Sequence, residues 1–262
     1  MTVPRIVIAE PSGPAGAPLL VLGSSLGTSS ILWESTAAIL RSAFRISTFD
    51  LPGHGATPTA TARFTIAELA LGVLDAIDAL GEDTFHYAGV SLGGAIGLQL
   101  ALTAPGRVLS AAIICSGARI GTAEGWLERS AVVRAQGTAS LVVSAASRWF
   151  APGSLERIPV DGGRLLHSLR DADDVGYALC AEALANYDLR PELGSIAPPV
   201  LAIWGEHDLV TPRADADRIS AGVQRGRVER VDDAAHLVPV EQPEVTAALI
   251  SRFITRITEG AA

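Results

Sequence analysis

The chain has 262 residues, 48% of them hydrophobic, which is enough for one large α/β domain, with or without an insertion, or for two small domains. The formal net charge of −8, spread along the chain, argues against nucleic acid or an anionic membrane as a partner. Lysine is absent, so Schiff-base chemistry is excluded and an anion must be bound by arginine or by backbone N–H groups.

Residues 1–10 lack the basic start and the long apolar run of a signal peptide. The longest apolar run, Val108 to Cys115, is much shorter than the roughly 18 residues of a membrane span. The two cysteines, Cys115 and Cys180, are far apart and lack the spacing of metal ligands, so we expect both in apolar packing. These features predict a cytoplasmic protein without a membrane partner.

Short apolar runs alternate with helical patterns along the first part of the chain. Strands are predicted at Arg5–Ala9, Leu19–Gly23, Arg45–Asp50, Phe85–Val90 and Val108–Cys115, and helices at Trp33–Leu40, Ile66–Leu80 and Leu92–Leu102. The continuous apolar run at Val108–Cys115 is typical of a strand that is buried on both faces. This alternation predicts right-handed crossovers and a parallel sheet.

The pattern changes between residues 117 and 193, which are rich in alanine and arginine and favour helices without a convincing strand. We predict a helical lid at 118–193, inserted into a core domain of 1–117 and 194–262. Alternation resumes after the lid, with strands at Val200–Trp204 and Val228–Val231 and helices at Arg213–Ala221 and Val245–Thr258.

A candidate nucleophile, Ser91, lies in the G-x-S-x-G pattern of residues 89–93, between a predicted strand and a predicted helix. This arrangement places a serine hydroxyl on a tight turn at the end of a sheet. The pattern alone also fits an ordinary turn serine, so a catalytic role requires a base and an acid elsewhere in the chain.

The candidate acid and base are Asp208 and His236. Asp208 follows the strand Val200–Trp204, and His236 lies in the loop between the last strand and the last helix. Both positions are at carboxyl ends of strands, where open α/β sheets place their sites. Of the other histidines, His54, His86 and His167 are interpreted as structural or surface residues, and His207 lies at the end of a strand next to Asp208.

Together, Ser91, Asp208 and His236 occur in the chain order of α/β-hydrolase triads, and almost the whole chain resembles that family. The resemblance implies an α/β-hydrolase fold: a mostly parallel twisted sheet flanked by helices, with an inserted helical lid. It also implies an oxyanion hole made by the backbone N–H groups of Leu26 and Leu92. Many members carry a His-Gly motif in the loop before Leu26, where this chain has Ser24 in place of the histidine.

Several motifs resemble a subgroup, the 3-oxoadipate enol-lactone hydrolases. They are Ser25-Leu26-Gly27-Thr28 with Trp33, residues 118–126 with Arg129, Arg148-Trp149-Phe150, and residues 236–243. The resemblance implies that Ser25, Trp126 and Arg129 bind a small anionic lactone, which is hydrolysed in the β-ketoadipate pathway of aromatic catabolism. No metal or cofactor is implied.

The substrate carboxylate favours an arginine, whose planar guanidinium binds carboxylates in bidentate geometry. Trp126 and Arg129 are three residues apart and would share one face of a helix, as a hydrophobic wall and a carboxylate clamp. The alternative is a packing tryptophan and a solvated surface arginine. Arg148 is a second candidate for the clamp.

Other functions stay open at this point. A general carboxylesterase or a cofactor-free haloperoxidase-like hydrolase would share the triad and differ in the lid. A catalytically inactive member that binds a ligand is a third alternative, although the intact triad argues against it. The sequence is compatible with a homo-oligomer.

Overall fold

Six parallel strands form one sheet at the centre of the molecule, a computed structural model that describes residues 3–260. The strands are β1 (Leu19–Gly23), β2 (Arg45–Phe49), β3 (Phe85–Val90), β4 (Val108–Ile114), β5 (Val200–Gly205) and β6 (Gly226–Val231). Their order across the sheet is β2-β1-β3-β4-β5-β6, and every neighbouring pair is parallel. The predicted α/β class and parallel sheet are confirmed. Because all strands run the same way, their carboxyl ends meet at one edge.

Helices separate these strands along the chain and follow the last one. They are α1 (Glu34–Leu40), α2 (Ile66–Ala79), α3 (Leu92–Thr103), α4 (Ala123–Gln136), α5 (Val142–Trp149), α6 (Ser154–Arg157), α7 (Pro159–Asp171), α8 (Asp174–Ala185), α9 (Arg213–Gly222), α10 (Val238–Glu241) and α11 (Pro243–Gly260). The local sequence explains where α2 begins. Thr65 and Glu68 form a capping box at its N-terminus, in which each side chain accepts the backbone N–H of the other residue. α3 packs on β3 and β4, and α9 packs on β5 and β6. β1 and β3 are buried at every position, as expected for strands in a sheet that helices cover.

The predicted strand at Arg5–Ala9 is wrong. Within this segment only Ile8 forms a bridge, which pairs antiparallel with Phe49 of β2. Prolines flank the segment, and the Val7 N–H donates to Thr57 Oγ1 (3.0 Å) instead of to a strand partner. The short apolar run therefore lies beside the outer strand of the sheet as irregular chain.

The chain between β4 and β5 contains α4 to α8, and its described residues form no strand. α4 packs against α8, and α5 packs against α7. The division into a lid at 118–193 and a core domain stays a prediction. Residues 1, 2, 261 and 262 of the predicted core lie outside the described residues. The first two of these also belong to residues 1–10, where the sequence lacks the features of a signal peptide. Within residues 3–260, every helix is too short or too polar to span a bilayer.

Candidate active site

Ser91 lies on a strained turn between β3 and α3. Its backbone has φ 56° and ψ −114°, a conformation that side-chain-bearing residues rarely adopt outside functional sites. A Cβ on Gly89 would lie 2.4 Å from the Gly93 carbonyl oxygen, so the turn is this tight only with glycine there. The neighbouring strand holds the turn: Ser91 N–H donates to the Ile114 carbonyl (2.9 Å), and Ser116 Oγ donates to the Ser91 carbonyl (2.7 Å). The fold thus fixes Ser91 at the carboxyl edge of the sheet.

Asp208 and His236 form a buried acid–base pair at the same edge, with Asp208 Oδ2 3.0 Å from His236 Nδ1. Asp208 also accepts hydrogen bonds from the Val210 N–H, the Thr211 N–H and Thr211 Oγ1. Burial raises the pKa of Asp208, but the charge and hydrogen bond of His236, with those from Thr211 and Val210, outweigh it and hold the pKa below its usual range. The ionised Asp208 accepts from His236 Nδ1, which leaves Nε2 for a serine hydroxyl.

The His236 loop is tied to the predicted lid through the backbone. The His236 N–H donates to the Trp149 carbonyl at the end of α5 (3.1 Å). The buried Glu241 accepts the Ala235 N–H (2.8 Å) with one carboxylate oxygen and the Ala151 N–H (2.7 Å) with the other. Both contacts bring the end of α5 and the chain after it against the loop that carries His236.

Cys115 lies beside the acid–base pair and ends β4 one residue earlier than predicted, because its φ is 45°. Both cysteines of the chain are buried and unpaired. Ligand atoms of Cys115, Asp208 and His236 lie within 4.8 Å of one another, a set that could in principle hold a metal. However, burial and then the negative Asp208 raise the pKa of the Cys115 thiol well above its usual range, and Cys115 Sγ donates to the Ala235 carbonyl (3.4 Å). Cys115 is therefore a neutral thiol near neutral pH.

The three predicted triad residues therefore lie at the ends of three strands on one edge. Cys115 lies between these residues. It directly follows Ile114, whose carbonyl accepts the Ser91 N–H, and its thiol lies beside His236. Within the described chain the Ser91 hydroxyl makes no hydrogen bond to protein, a common state of enzymes without substrate, in which such contacts tighten on binding. The catalytic roles stay proposals.

The predicted oxyanion loop forms a tight turn from Ser25 to Thr28, closed by a hydrogen bond from the Thr28 N–H to the Ser25 carbonyl (3.0 Å). The N–H groups of Leu26 and of Leu92, the first residue of α3, have no acceptor among residues 3–260. Two buried residues with unused donors beside Ser91 are what an oxyanion hole requires.

A cavity of about 240 Å³ opens between the predicted lid and the loop after Asp208. Trp126, Arg129 and Arg148 line one side, and Leu209 and Val210 line the other. Arg129 and Trp126 are in contact, with the guanidinium carbon 5.2 Å from the centre of the indole ring. Ser25, which is predicted to bind substrate, is buried and does not line this cavity. Among the described residues, the three triad candidates do not line it either.

Comparison with known proteins assigns the family. Residues 15–249 match the alpha/beta hydrolase family. The chain belongs to the alpha/beta hydrolase family. It is 35% identical to 3-oxoadipate enol-lactonase 2 of Acinetobacter baylyi over 92% of this chain and 91% of that protein, and 36% identical to enol-lactonase 1 of the same organism over 94% and 92%. The crystal structure of the enol-lactonase from Burkholderia xenovorans superposes with a TM-score of 0.91, at 31% identity over 96% of each chain. The predicted family and the predicted similarity to enol-lactone hydrolases are confirmed, and with them an enzyme of the hydrolase class.

The cavity of this hydrolase is positively charged, although the whole chain is acidic. Within the described chain neither Arg129 nor Arg148 forms an ion pair with a carboxylate. Burial raises the pKa of the Tyr177 hydroxyl, and the nearby positive charge of Arg129 opposes that rise. Burial, and next the positive charge of Arg129, lower the pKa of Arg148. Two guanidinium groups on the lining of one cavity create a positive potential there, and such a potential attracts anions.

Sequence reasoning missed Tyr177 and Glu241 as parts of this region. Glu241 lies in the quoted motif of residues 236–243, five residues after His236, so its position was a usable signal. Tyr177 had no comparable signal, because it lies among apolar residues of α8 and approaches Arg129 only in the folded chain.

Proposed function

We propose that this hydrolase opens the ring of 3-oxoadipate enol-lactone to give 3-oxoadipate, a step of the β-ketoadipate pathway of aromatic catabolism. The observation that carries the proposal is the pair Arg129 and Arg148, which line a cavity next to the Asp208 loop and lack a carboxylate partner in the described chain. The similarity to enol-lactonases from two bacteria supports the same substrate. The anionic lactone would supply the negative charge that the cavity lacks.

The first half of the reaction forms an acyl-enzyme on Ser91. His236, held by Asp208 through Nδ1, takes the Ser91 proton at Nε2 while Oγ attacks the lactone carbonyl. The negative charge that develops on the carbonyl oxygen is bound by the N–H groups of Leu26 and Leu92. Two such donors lower the barrier by several kcal/mol, at roughly 3 kcal/mol for each.

Collapse of the tetrahedral intermediate breaks the ring C–O bond. The leaving group is an enolate, which takes up the proton held by His236 and becomes a ketone while its chain stays attached to Ser91. His236 then removes a proton from water, the hydroxide attacks the acyl carbonyl, and Ser91 Oγ leaves with the proton. The sum is one lactone and one water converted to 3-oxoadipate.

In our proposal the substrate carboxylate binds in this cavity. Arg129 provides a guanidinium there that is held against the Trp126 ring. The Trp126 ring is itself fixed, because Nε1 donates to the Ile120 carbonyl (2.5 Å). Arg148 adds a second positive charge. Ser25 stays a predicted substrate residue, and in this structure its carbonyl shapes the oxyanion turn.

The test compares the purified enzyme on two substrates: the decay of enol-lactone ultraviolet absorbance and the hydrolysis of a 4-nitrophenyl ester. We expect a far higher kcat/KM for the lactone. Faster turnover of the simple ester would contradict the proposal and favour a general carboxylesterase.

A fluorophosphonate probe tests the nucleophile separately. We expect labelling of Ser91 in the wild type, no labelling of Ser91→Ala, and a loss of kcat of about 10⁴-fold or more in that variant. Failure to label the folded wild type would instead favour a ligand-binding member without catalysis. The small-molecule partner belongs to this proposal; a homo-oligomer and a cytoplasmic location stay predictions from the sequence.

A further inference from the structure

We infer that His54 is a positioning residue for the oxyanion hole: its imidazole fixes the turn that presents the Leu26 N–H to the reacting carbonyl. The inference rests on the proposed function, because Leu26 has this role only in acyl transfer. His54 lies in the loop after β2, is 1% exposed, and was interpreted from the sequence as a structural turn residue. The structure gives that hydrogen-bonding role a specific target.

The two ring nitrogens of His54 have different partners. Nδ1 lies 3.0 Å from the Pro52 carbonyl oxygen, which can only accept, so Nδ1 carries the proton. Nε2 of the neutral ring is then an acceptor, and it accepts the Gly27 N–H at 3.1 Å. Burial lowers the pKa of His54 despite the opposing Pro52 carbonyl and the negative Asp50 and Asp173, which favours this neutral form.

The bond to Gly27 acts on the central peptide unit of the oxyanion turn. Gly27 has φ 84° and is the third residue of the turn from Ser25 to Thr28, where a type II turn requires a positive φ. Type I and type II turns differ mainly in the orientation of the peptide unit between their second and third residues, here Leu26 and Gly27. The imidazole of His54 therefore holds this unit in the orientation that the structure shows.

The preceding peptide unit carries the Ser25 carbonyl and the Leu26 N–H, which point in opposite directions because the peptide is trans. Thr28 binds the carbonyl with its N–H (3.0 Å) and with Oγ1 (2.8 Å). The Leu26 N–H thus points away from Thr28. With both units held, the donor is oriented before substrate arrives, which is the condition for oxyanion stabilisation.

No other group in the described chain can replace His54 at this position. Nε2 is the single acceptor that the Gly27 N–H has among residues 3–260. On the side where a Cβ would project, Gly27 meets carbon atoms of Leu169 and Trp149, at 2.6 and 3.3 Å from an ideal Cβ. Removal of the imidazole leaves a buried N–H unpaired, which favours rotation of the peptide unit.

The test compares His54→Ala and His54→Gln in the full chain. The glutamine amide oxygen can take the acceptor position of Nε2, whereas alanine cannot. We measure kcat and KM with the lactone, the inhibition constant of a boronic acid that forms a tetrahedral adduct with Ser91, and that of 3-oxoadipate, which forms none. His54→Ala should lower kcat about 10- to 100-fold with KM nearly unchanged, and weaken the boronate by the same factor. His54→Gln should recover most of the loss in kcat and in boronate affinity. The wild type and both variants should bind 3-oxoadipate with the same affinity.

His86→Gln is the matched control, because His86 is also buried and its Nδ1 lies 2.7 Å from Ser110 Oγ, on β3 and β4 instead of at the turn. It should lose stability without changing the ratio of boronate to 3-oxoadipate affinity. If His54→Ala loses affinity equally for the boronic acid and for 3-oxoadipate, or if its kcat is unchanged, His54 has only a structural role and the inference is overturned.

If neither His54 variant folds, ¹⁵N NMR of the wild type decides. A protonated Nε2, or no coupling across the hydrogen bond to the Gly27 N–H, overturns the inference, and an unprotonated Nε2 with that coupling supports it. A wild type that resists both the boronate and the fluorophosphonate contradicts the proposed function itself. A wild type that reacts with both, while His54→Ala behaves identically, contradicts this inference alone.

Discussion

The backbone carbonyl of Trp149 accepts the His236 N–H at 3.1 Å, so the last residue of α5 binds the loop that carries the proposed catalytic base. The same tryptophan carbonyl also accepts the Leu237 N–H at 3.2 Å, and its ring lies against Gly27 of the oxyanion turn. One residue of the predicted lid therefore contacts both the His236 loop and the oxyanion turn of the proposed catalytic site. Displacement of α5 would disturb the base and the oxyanion donors together.

Glu241→Gln tests the second contact between the predicted lid and the loop that carries His236. One carboxylate oxygen of Glu241 accepts from the Ala151 N–H and Ser154 Oγ (both 2.7 Å), and the other accepts from the Ala235 N–H (2.8 Å). A glutamine would place an NH₂ group against one of these donors. We expect the free energy of unfolding, measured by urea denaturation, to fall by about 1–3 kcal/mol, with a lower kcat.

Glu244→Gln is the control for that experiment, because Glu244 is exposed in the first turn of α11. A loss of stability in Glu241→Gln no larger than in Glu244→Gln would show that the buried carboxylate does not brace this region.

Asp208→Asn should change both the rate and the pH dependence of stability. Burial raises the pKa of Asp208, but His236, Thr211 and Val210 outweigh it, so the folded-state pKa lies below the ordinary value near 3.8. The stability that the carboxylate contributes is therefore present above the ordinary pKa and is lost as the pH falls through the lower folded-state pKa. The wild-type Tm should fall more steeply than that of Asp208→Asn between about pH 5 and pH 2.

The same substitution should lower kcat at neutral pH by about 10⁴-fold, because asparagine cannot hold His236 with the proton on Nδ1. Parallel Tm curves for the two proteins would contradict the depressed pKa, and a kcat close to wild type would contradict the role of Asp208 in the triad.

Arg129→Ala should weaken binding of the anionic lactone while sparing a neutral ester. Loss of a charge-assisted hydrogen bond corresponds to a rise in KM of about 10- to 100-fold for the lactone. Arg148→Ala should act in the same direction. Arg134→Ala is the control on the same helix as Arg129, since Arg134 pairs with Glu182 (2.9 Å) in an exposed ion pair of small value. Equal losses on lactone and ester would mean that Arg129 is structural.

Periodic patterns in the sequence predicted the fold and the placement of Ser91, Asp208 and His236 at one edge of the sheet. Each of the three candidate residues follows a predicted strand, and the carboxyl ends of the strands in a parallel sheet share one edge, so the local sequence around each residue was enough to place it. The strand prediction at Arg5–Ala9 was wrong because its four apolar residues have the same pattern whether the segment pairs along its length or forms a single bridge. The bonds from His54 to Gly27 and from Glu241 to Ala151 join distant segments by single side chains, which leave no period in the sequence. Such contacts become visible only in the folded chain.

Gly93→Ala should separate the two oxyanion donors and inactivate the protein. An ideal Cβ at Gly93 would lie 2.5 Å from the Gly23 carbonyl oxygen and 2.9 Å from that of Ser24, both backbone atoms that cannot rotate away. The start of α3 would have to move from the end of β1, and with it Leu92 from the oxyanion turn. Gly163→Ala in α7 is the matched control, because nothing lies within 4 Å of its Cβ and alanine stabilises a helix interior by about 0.5–1 kcal/mol. Urea midpoints and fluorophosphonate labelling rates measure both effects. A Gly93→Ala protein as stable and as reactive as the wild type would show that this close contact does not set the distance between the donors.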